Sequence, residues 1–188
     1  MILSKQDYKH YLECDKRALG KNRKRPRLIG DEIWQFQILM RKAEYYKNCS
    51  KTLIGKIYSQ WLQFKYYKKR IKLGFSIPLN VFGPGLSIAH YGTIVVNGNA
   101  IVGKNCRIQE STTIGATNGS EKAPKLGDNI FIGSGARIIG DIEIADDIAI
   151  GANAMVNKSF KTGGITIAGV PAKKISDKNS HSNLLIKL

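Results

Sequence analysis

The stretch LGDNIFIGSGARIIGDIEIADDIAIGANAMV, Leu126–Val156, decides the fold. Cut into sixes, it sets Leu126, Ile132, Ile138, Ile144, Ile150 and Val156 in first place. The fifth place holds Ile130, Ala136, Ile142, Ile148 and Ala154, and Gly is frequent in second place. A helix repeats near 3.6 residues and a half-buried strand at 2. A period of six fits neither. It fits a parallel β-helix, where each hexad is one flat side and three hexads close a triangular coil. The first residue points into the prism, and small residues serve where the backbone turns a corner. Each coil buries its aliphatics only against the next, so several coils are needed.

The same phase holds further back, with Val96, Val102, Ile108 and Ile114 in first place and Ala100, Cys106 and Thr112 in fifth. One interruption, NGSEKAPK at 118–125, breaks the series without losing its phase. About five coils fit between Pro78 and Thr166. His90 falls six residues before Val96, which puts it in a first position where aliphatics otherwise sit. Two readings stand: an imidazole packed in the core and bonded to a carbonyl, or a side chain positioned for chemistry.

Charge divides the chain. Residues 1–74 carry 19 Lys/Arg against 6 Asp/Glu, and residues 75–188 carry 11 against 8. The expected domains are a basic helical segment at 1–74, a β-helix at 75–175 and a tail at 176–188. The expected class is mainly β, a left-handed parallel β-helix with an N-terminal α-helical segment. In the front, Ser4 with Asp7 predicts a helix start and Gly20 a stop. Asp31 is expected to cap a second helix, on which Ile33, Trp34, Ile38 and Tyr45 are available to pack. Ser50 is expected to cap a third, with Leu53, Ile57, Trp61 and Phe64 on one face. The basic turn between the first two helices has five Lys/Arg in seven residues, Lys21 to Arg27. Its charge suits a solvated oligomerisation cap or contact with an anionic membrane surface. Nucleic acid is not expected, because no binding motif accompanies the charge.

No run approaches the ~20 apolar residues of a membrane span. The opening MILSKQDYKHY has no apolar centre, so no secretory leader is expected. Cys14, Cys49 and Cys106 show no metal-ligand spacing and read as free thiols of a reducing compartment, so a cytoplasmic location is expected.

The back half resembles the left-handed β-helix (hexapeptide-repeat) acyltransferases, and within them the serine acetyltransferase branch. The resemblance covers roughly residues 75–175 and rests on AHYGTIVV, the loop after TTIGAT, IGSGARIIGDIEI, IGANAMV and the closing IAGVPAKKI. It implies acetyl-CoA as acyl donor, no metal, a homotrimer, and His90 as general base. Acyl transfer to an alcohol needs a proton acceptor as the hydroxyl attacks, and imidazole is the side chain that changes charge near neutral pH. The positions matching the family's groove for the acetyl-CoA arm are Gly115, Ala116, Ser134 and Ala152. Lys173 and Lys174 are either partners for the nucleotide phosphates or solvated charges. The resemblance sets the interrupting loop beside the acceptor pocket, with Lys122 where the family usually has Arg. Tyr91 and Glu110 are further candidates for the acceptor side.

The family's charged positions are altered. Ala89 stands in place of Asp before the histidine, Phe75-Ser76-Ile77-Pro78 in place of Asp-x-His-Pro, and Lys122-Ala123-Pro124 in place of Arg-His-Pro. An entering ammonium would lose water without meeting an anion there. The expected acceptor is therefore a sugar hydroxyl of a polysaccharide or its precursor. The alternatives are a true serine acetyltransferase, with Glu110 or Glu121 supplying the missing carboxylate, and a non-catalytic β-helix scaffold.

Overall fold

A computed structural model describes residues 1–117 and 119–186. Asn118, the first residue of the interrupting loop, and the last two residues of the tail lie outside the described residues.

The front folds as α1 (Lys5–Ala18), α2 (Glu32–Cys49) and α3 (Leu53–Leu73). Ser4 Oγ accepts the Asp7 amide at 3.0 Å, and Asp7 Oδ2 accepts the Leu3 amide at 3.0 Å. Thr52, not Ser50, caps α3 by accepting the Gly55 amide at 3.1 Å. Asp31 occupies the cap position of α2 but makes no cap bond. It instead gathers the basic turn, taking Lys21 Nζ at 2.6 Å, Arg23 at 3.2 Å and the Arg27 amide at 2.8 Å.

The back winds as a left-handed parallel β-helix with three sheets. The first face stacks Phe75–Ser76, Ile94–Val96, Thr113–Gly115, Arg137–Ile139 and Met155–Val156. The second stacks Ile101–Val102, Lys125–Leu126 and Glu143–Ile144. The third stacks Ser87–Ile88, Arg107–Ile108, Phe131–Ile132, Ala149–Ile150 and Thr166–Ala168, and Lys173–Ser176 closes it antiparallel. The ten aliphatics in first place, Val96 through Val156, are all buried. At the corner from the second to the third face, Asn105, Asn129 and Asp147 take positive φ, a conformation that Asn and Asp tolerate. Their side chains form a ladder, Asn105 donating to Asn129 and Asn129 to Asp147, each at 2.8 Å. His181 of the tail closes the ladder on Asp147 at 2.7 Å.

The two compositional halves share one apolar core, which runs from Phe36 and Tyr66 through the prism to Ala172. A buried polar network joins them as well. The fully buried Arg41 of α2 donates to Asp15 of α1 and to Glu44, at 2.8 and 3.0 Å. It also donates to the carbonyls of Phe82 and Gly83 in the first coil, at 2.9 and 2.7 Å. Asp15 in turn accepts the amides of Gly85 and Leu86, both at 2.9 Å. Burial lowers the guanidinium's pKa, but Asp15 and then Glu44 more than reverse this and raise it above its ordinary value.

The expected packing face of α3 is corrected. Leu53, Ile57, Trp61 and Phe64 are exposed, and Ser59, Leu62 and Tyr66 face the protein instead. The Tyr66 hydroxyl selects that face by donating to the Ile77 carbonyl at 2.6 Å in the buried interior. Among the described residues, no helix is long and apolar enough to cross a membrane.

Candidate functional site

His90 does not sit in the core. It is exposed, at the corner where the chain turns from the third face to the first. The register explains why counting in sixes placed it wrongly. Val96 pairs with Ile114, eighteen residues on, whereas Ile88 pairs with Ile108, twenty residues on. Two extra residues swell this corner, so Ile88 takes the inward place and His90 is carried outside. Gly92 makes the swelling feasible. Its φ is +126°, and a Cβ there would stand 3.2 Å from Glu110 Cβ. A side chain would be strained by the backbone angle and crowded by the next coil.

The same corner recurs in every coil. Ile88, Ile108, Ile132, Ile150 and Ile167 follow one another in the ladder of the third face. The residues two places on are His90, Glu110, Ser134, Ala152 and Gly169. Three of the sequence candidates, Glu110, Ser134 and Ala152, thus form one column with His90. Within it, Gln109 Oε1 accepts both the Ser134 amide and the Ser134 hydroxyl, at 3.0 and 3.1 Å. Glu110 Oε2 is buried and has no hydrogen-bond partner among the described residues. The nearby Ser134 hydroxyl, its own backbone amide and the His90 imidazole hold the Glu110 carboxyl below the usual carboxylate range. The column presents a base and an ionised carboxylate with a free oxygen side by side.

Sequence reasoning named Tyr91 at this corner but missed Glu32, Gln37 and Arg107, which surround it. The Tyr91 hydroxyl donates to Glu32 Oε2 of α2 at 2.7 Å, which raises the phenol's pKa. Gln37, fully buried on α2, donates to the Leu86 carbonyl at 2.7 Å and accepts the Ile88 amide at 3.3 Å, two residues from His90. Beside the corner, a cleft of about 270 Å³ opens between the helices and the third face, lined by Asp31, Trp34, Ala89, Tyr91 and Arg107. The Arg107 guanidinium donates to Ser87 Oγ at 2.9 Å. A polar residue on a helix gives no signal in sequence of which distant backbone it will meet.

The remaining candidates lie elsewhere. Gly115 ends a strand of the first face and Ala116 follows it, at its far edge from His90. Lys122 lies on the loop that leaves that edge, exposed and paired with Asp141 at 2.9 Å. The first face is three residues wide there, so the two corners are at least roughly 10 Å apart within one chain. Within one chain, Lys122 does not join His90, because the loop leaves the prism at a different corner. Lys173 and Lys174 are exposed on the closing strand, Lys174 beside Asp177. Among the described residues, no group of three His, Cys, Asp or Glu is gathered as a metal site.

Fold and corner define a hexapeptide-repeat, left-handed β-helix protein. Within that class its likeness is to the serine acetyltransferases. It is 35% identical over 129 residues to the serine acetyltransferase of Buchnera aphidicola (subsp. Schizaphis graminum), covering 65% of this chain and 49% of that one. It is 36% identical over 109 residues to that of Mycobacterium tuberculosis, covering 56% and 47%. The Escherichia coli K12 enzyme gives 30% over 120 residues, covering 61% and 44%. The chain thus spans about half the length of these curated relatives. No family model matches it. Among solved structures, serine acetyltransferase from Brucella abortus strain S19 superposes with a TM-score of 0.67 at 24% identity, over 94% of this chain and 72% of that one. The Neisseria gonorrhoeae enzyme gives 0.69 at 24%, over 92% and 68%. A second Brucella abortus structure is a complex with coenzyme A. At this identity the structural likeness establishes the fold.

These relatives overturn the expectation of a sugar acceptor, since each is a serine acetyltransferase. The physical reason lies in the column. The expectation counted the charged positions lost from the family's motifs. It kept Glu110 for the alternative acceptor alone, and it did not count Glu32, which α2 brings to the same corner.

Proposed function

We propose that this protein is an acetyl-CoA-dependent serine O-acetyltransferase. The observation that carries the reading is the likeness of its β-helix to serine acetyltransferases, together with an exposed His90 beside the unpartnered Glu110 oxygen. His90 takes the proton from the serine hydroxyl as it attacks the thioester carbonyl of acetyl-CoA. The tetrahedral oxyanion collapses, the C–S bond breaks, and the proton passes to the departing CoA thiolate. Glu110 meets the serine ammonium and supplies the anion that Ala89 and Phe75 do not. Ser134 and Ala152 are small enough to let the pantetheine arm run along the corner, and Lys173 and Lys174 meet its phosphates.

The working form in this reading is a homotrimer. One chain leaves His90 and the loop with Gly115, Ala116 and Lys122 at separate corners. A closed threefold arrangement sets the His90 corner of one copy against the loop of the next and completes the site. Incubation with acetyl-CoA and millimolar serine is expected to release CoA thiol and form O-acetylserine. His90→Ala is expected to keep the fold and lower turnover at least ~100-fold, as loss of a general base does. Absence of O-acetylserine, or near-normal turnover by the variant, refutes the assignment. Light scattering is expected to give three times the 20.9 kDa chain mass or a multiple of it.

A further inference from the structure

The corrected face of α3 poses its own question. Ile54, Ile57, Trp61, Phe64 and Ile71 recur at steps of three, four and seven residues and stand in solvent, Ile54 81% exposed. At 1.5 Å per residue the stripe runs most of a helix about 30 Å long. It continues onto the basic turn, where Leu28 is 90% and Ile29 80% exposed. Leu28, Ile29 and Phe64 line one groove together with Lys65, Lys68 and Lys72. An apolar surface of this extent on a water-soluble face calls for an occupant.

Charge decides which occupant. Residues 51–72 hold seven Lys/Arg, and no Asp or Glu occurs between Glu44 and Glu110. The cations flank the aromatics: Lys65 Nζ lies 4.3 Å from the Trp61 ring centroid and Lys68 Nζ 5.7 Å from that of Phe64. A second copy docked by a twofold on this face would set like charges against like, since α3 has no carboxylate and Glu32, the acidic residue lining the groove, is already bonded to Tyr91 and the Gly30 amide. An anionic lipid surface answers both features, with phosphates for the lysines and an apolar layer for the stripe. We infer that α3 and the tip of the basic turn dock this protein on an anionic membrane surface, lying in the interface plane. The contact centres on Lys65, Lys68 and Lys72 rather than on the start of the basic turn, since Lys21 and Arg23 are bound to Asp31.

The test uses the full chain and vesicles of phosphatidylglycerol mixed with phosphatidylcholine, against phosphatidylcholine alone. Cosedimentation is expected only with the anionic vesicles and is expected to weaken with salt. Trp34 is buried and Trp61 half exposed, so a blue shift of emission on binding reports Trp61 entering the lipid. Ile57→Ser with Phe64→Ser, both surface changes, is expected to keep the circular dichroism and abolish the blue shift. Lys65→Gln, Lys68→Gln and Lys72→Gln together are expected to weaken binding roughly 100-fold, about fivefold per cation. Neutralising Lys21 and Arg23 is expected to change binding less than twofold by the same measure. Failure of the wild type to bind anionic vesicles at low salt overturns the inference. So does unchanged binding and emission in the Ile57/Phe64 variant. A fall in the mass of the wild-type assembly on that substitution also overturns it, because another copy then covers the stripe.

Discussion

Replacing Arg41 by Met tests how the helical front holds the candidate site. The substitution keeps most of the side-chain volume and removes the charge and the donors. Five contacts of 2.7 to 3.2 Å disappear, two to Asp15, one to Glu44 and one each to the Phe82 and Gly83 carbonyls. Asp15 retains the Gly85 and Leu86 amides, and Glu44 retains the Asn80 amide at 2.7 Å, so neither carboxylate is left wholly bare. Removing one partner of a buried ion pair still costs about 3–5 kcal/mol. With a urea slope of about 1–3 kcal/mol per molar, the midpoint is expected to fall by at least about 1 M. Circular dichroism against urea measures it. The triple variant Arg41→Met, Asp15→Asn, Glu44→Gln is expected to recover at least about half the loss, because no buried charge then lacks its partner. The lost bonds anchor the coil that leads to His90, so the fraction that stays folded is expected to turn over more slowly. An unfolding free energy within about 0.5 kcal/mol of wild type refutes the network as the tie between front and prism.

Three further outcomes follow from the same geometry. Glu110→Gln is expected to raise the KM for serine about 10–100-fold while sparing an acceptor alcohol that lacks an ammonium group, as loss of a charged hydrogen bond would; equal KM values remove Glu110 from the acceptor site. The thiol of Cys106 is pushed up to about 12 by burial, so a thiol-specific chromogenic reagent at pH 8 is expected to label Cys14 and Cys49 but to reach Cys106 only on unfolding. Rapid labelling of all three thiols in the native protein contradicts the tight coil around Ala100, Cys106 and Ile130. The Lys21 ammonium and then the Arg27 amide hold the Asp31 carboxyl below its ordinary range. A lowered folded value stabilises above the unfolded pKa and is lost as pH falls through the folded one. The stability difference between wild type and Asp31→Asn is therefore expected to be constant from about pH 5 to 8 and to shrink below about pH 4. A difference that grows in acid reverses the sign and the argument.

The amino-acid sequence by itself determined the β-helix. A prism with three flat sides needs an inward aliphatic every sixth residue, and ten first-place residues in phase leave no other regular structure that buries them all. It also singled out His90, though by a count in sixes that the swollen corner puts two residues out of step. Tertiary structure decided which way the ring faces. Two extra residues at one corner shift the phase, and only strand pairing reveals that Ile88, not His90, stands opposite Ile108. It decided the face of α3 too. That helix has apolar residues on more than one side, and the bond from Tyr66 to the Ile77 carbonyl settles which side turns inward. It decided part of the charge at this corner, because Glu32 arrives from a helix 59 residues before Tyr91. Periodicity is written locally and survives in the sequence. Electrostatic partners are chosen across long stretches of chain, where spacing carries no record of who will meet.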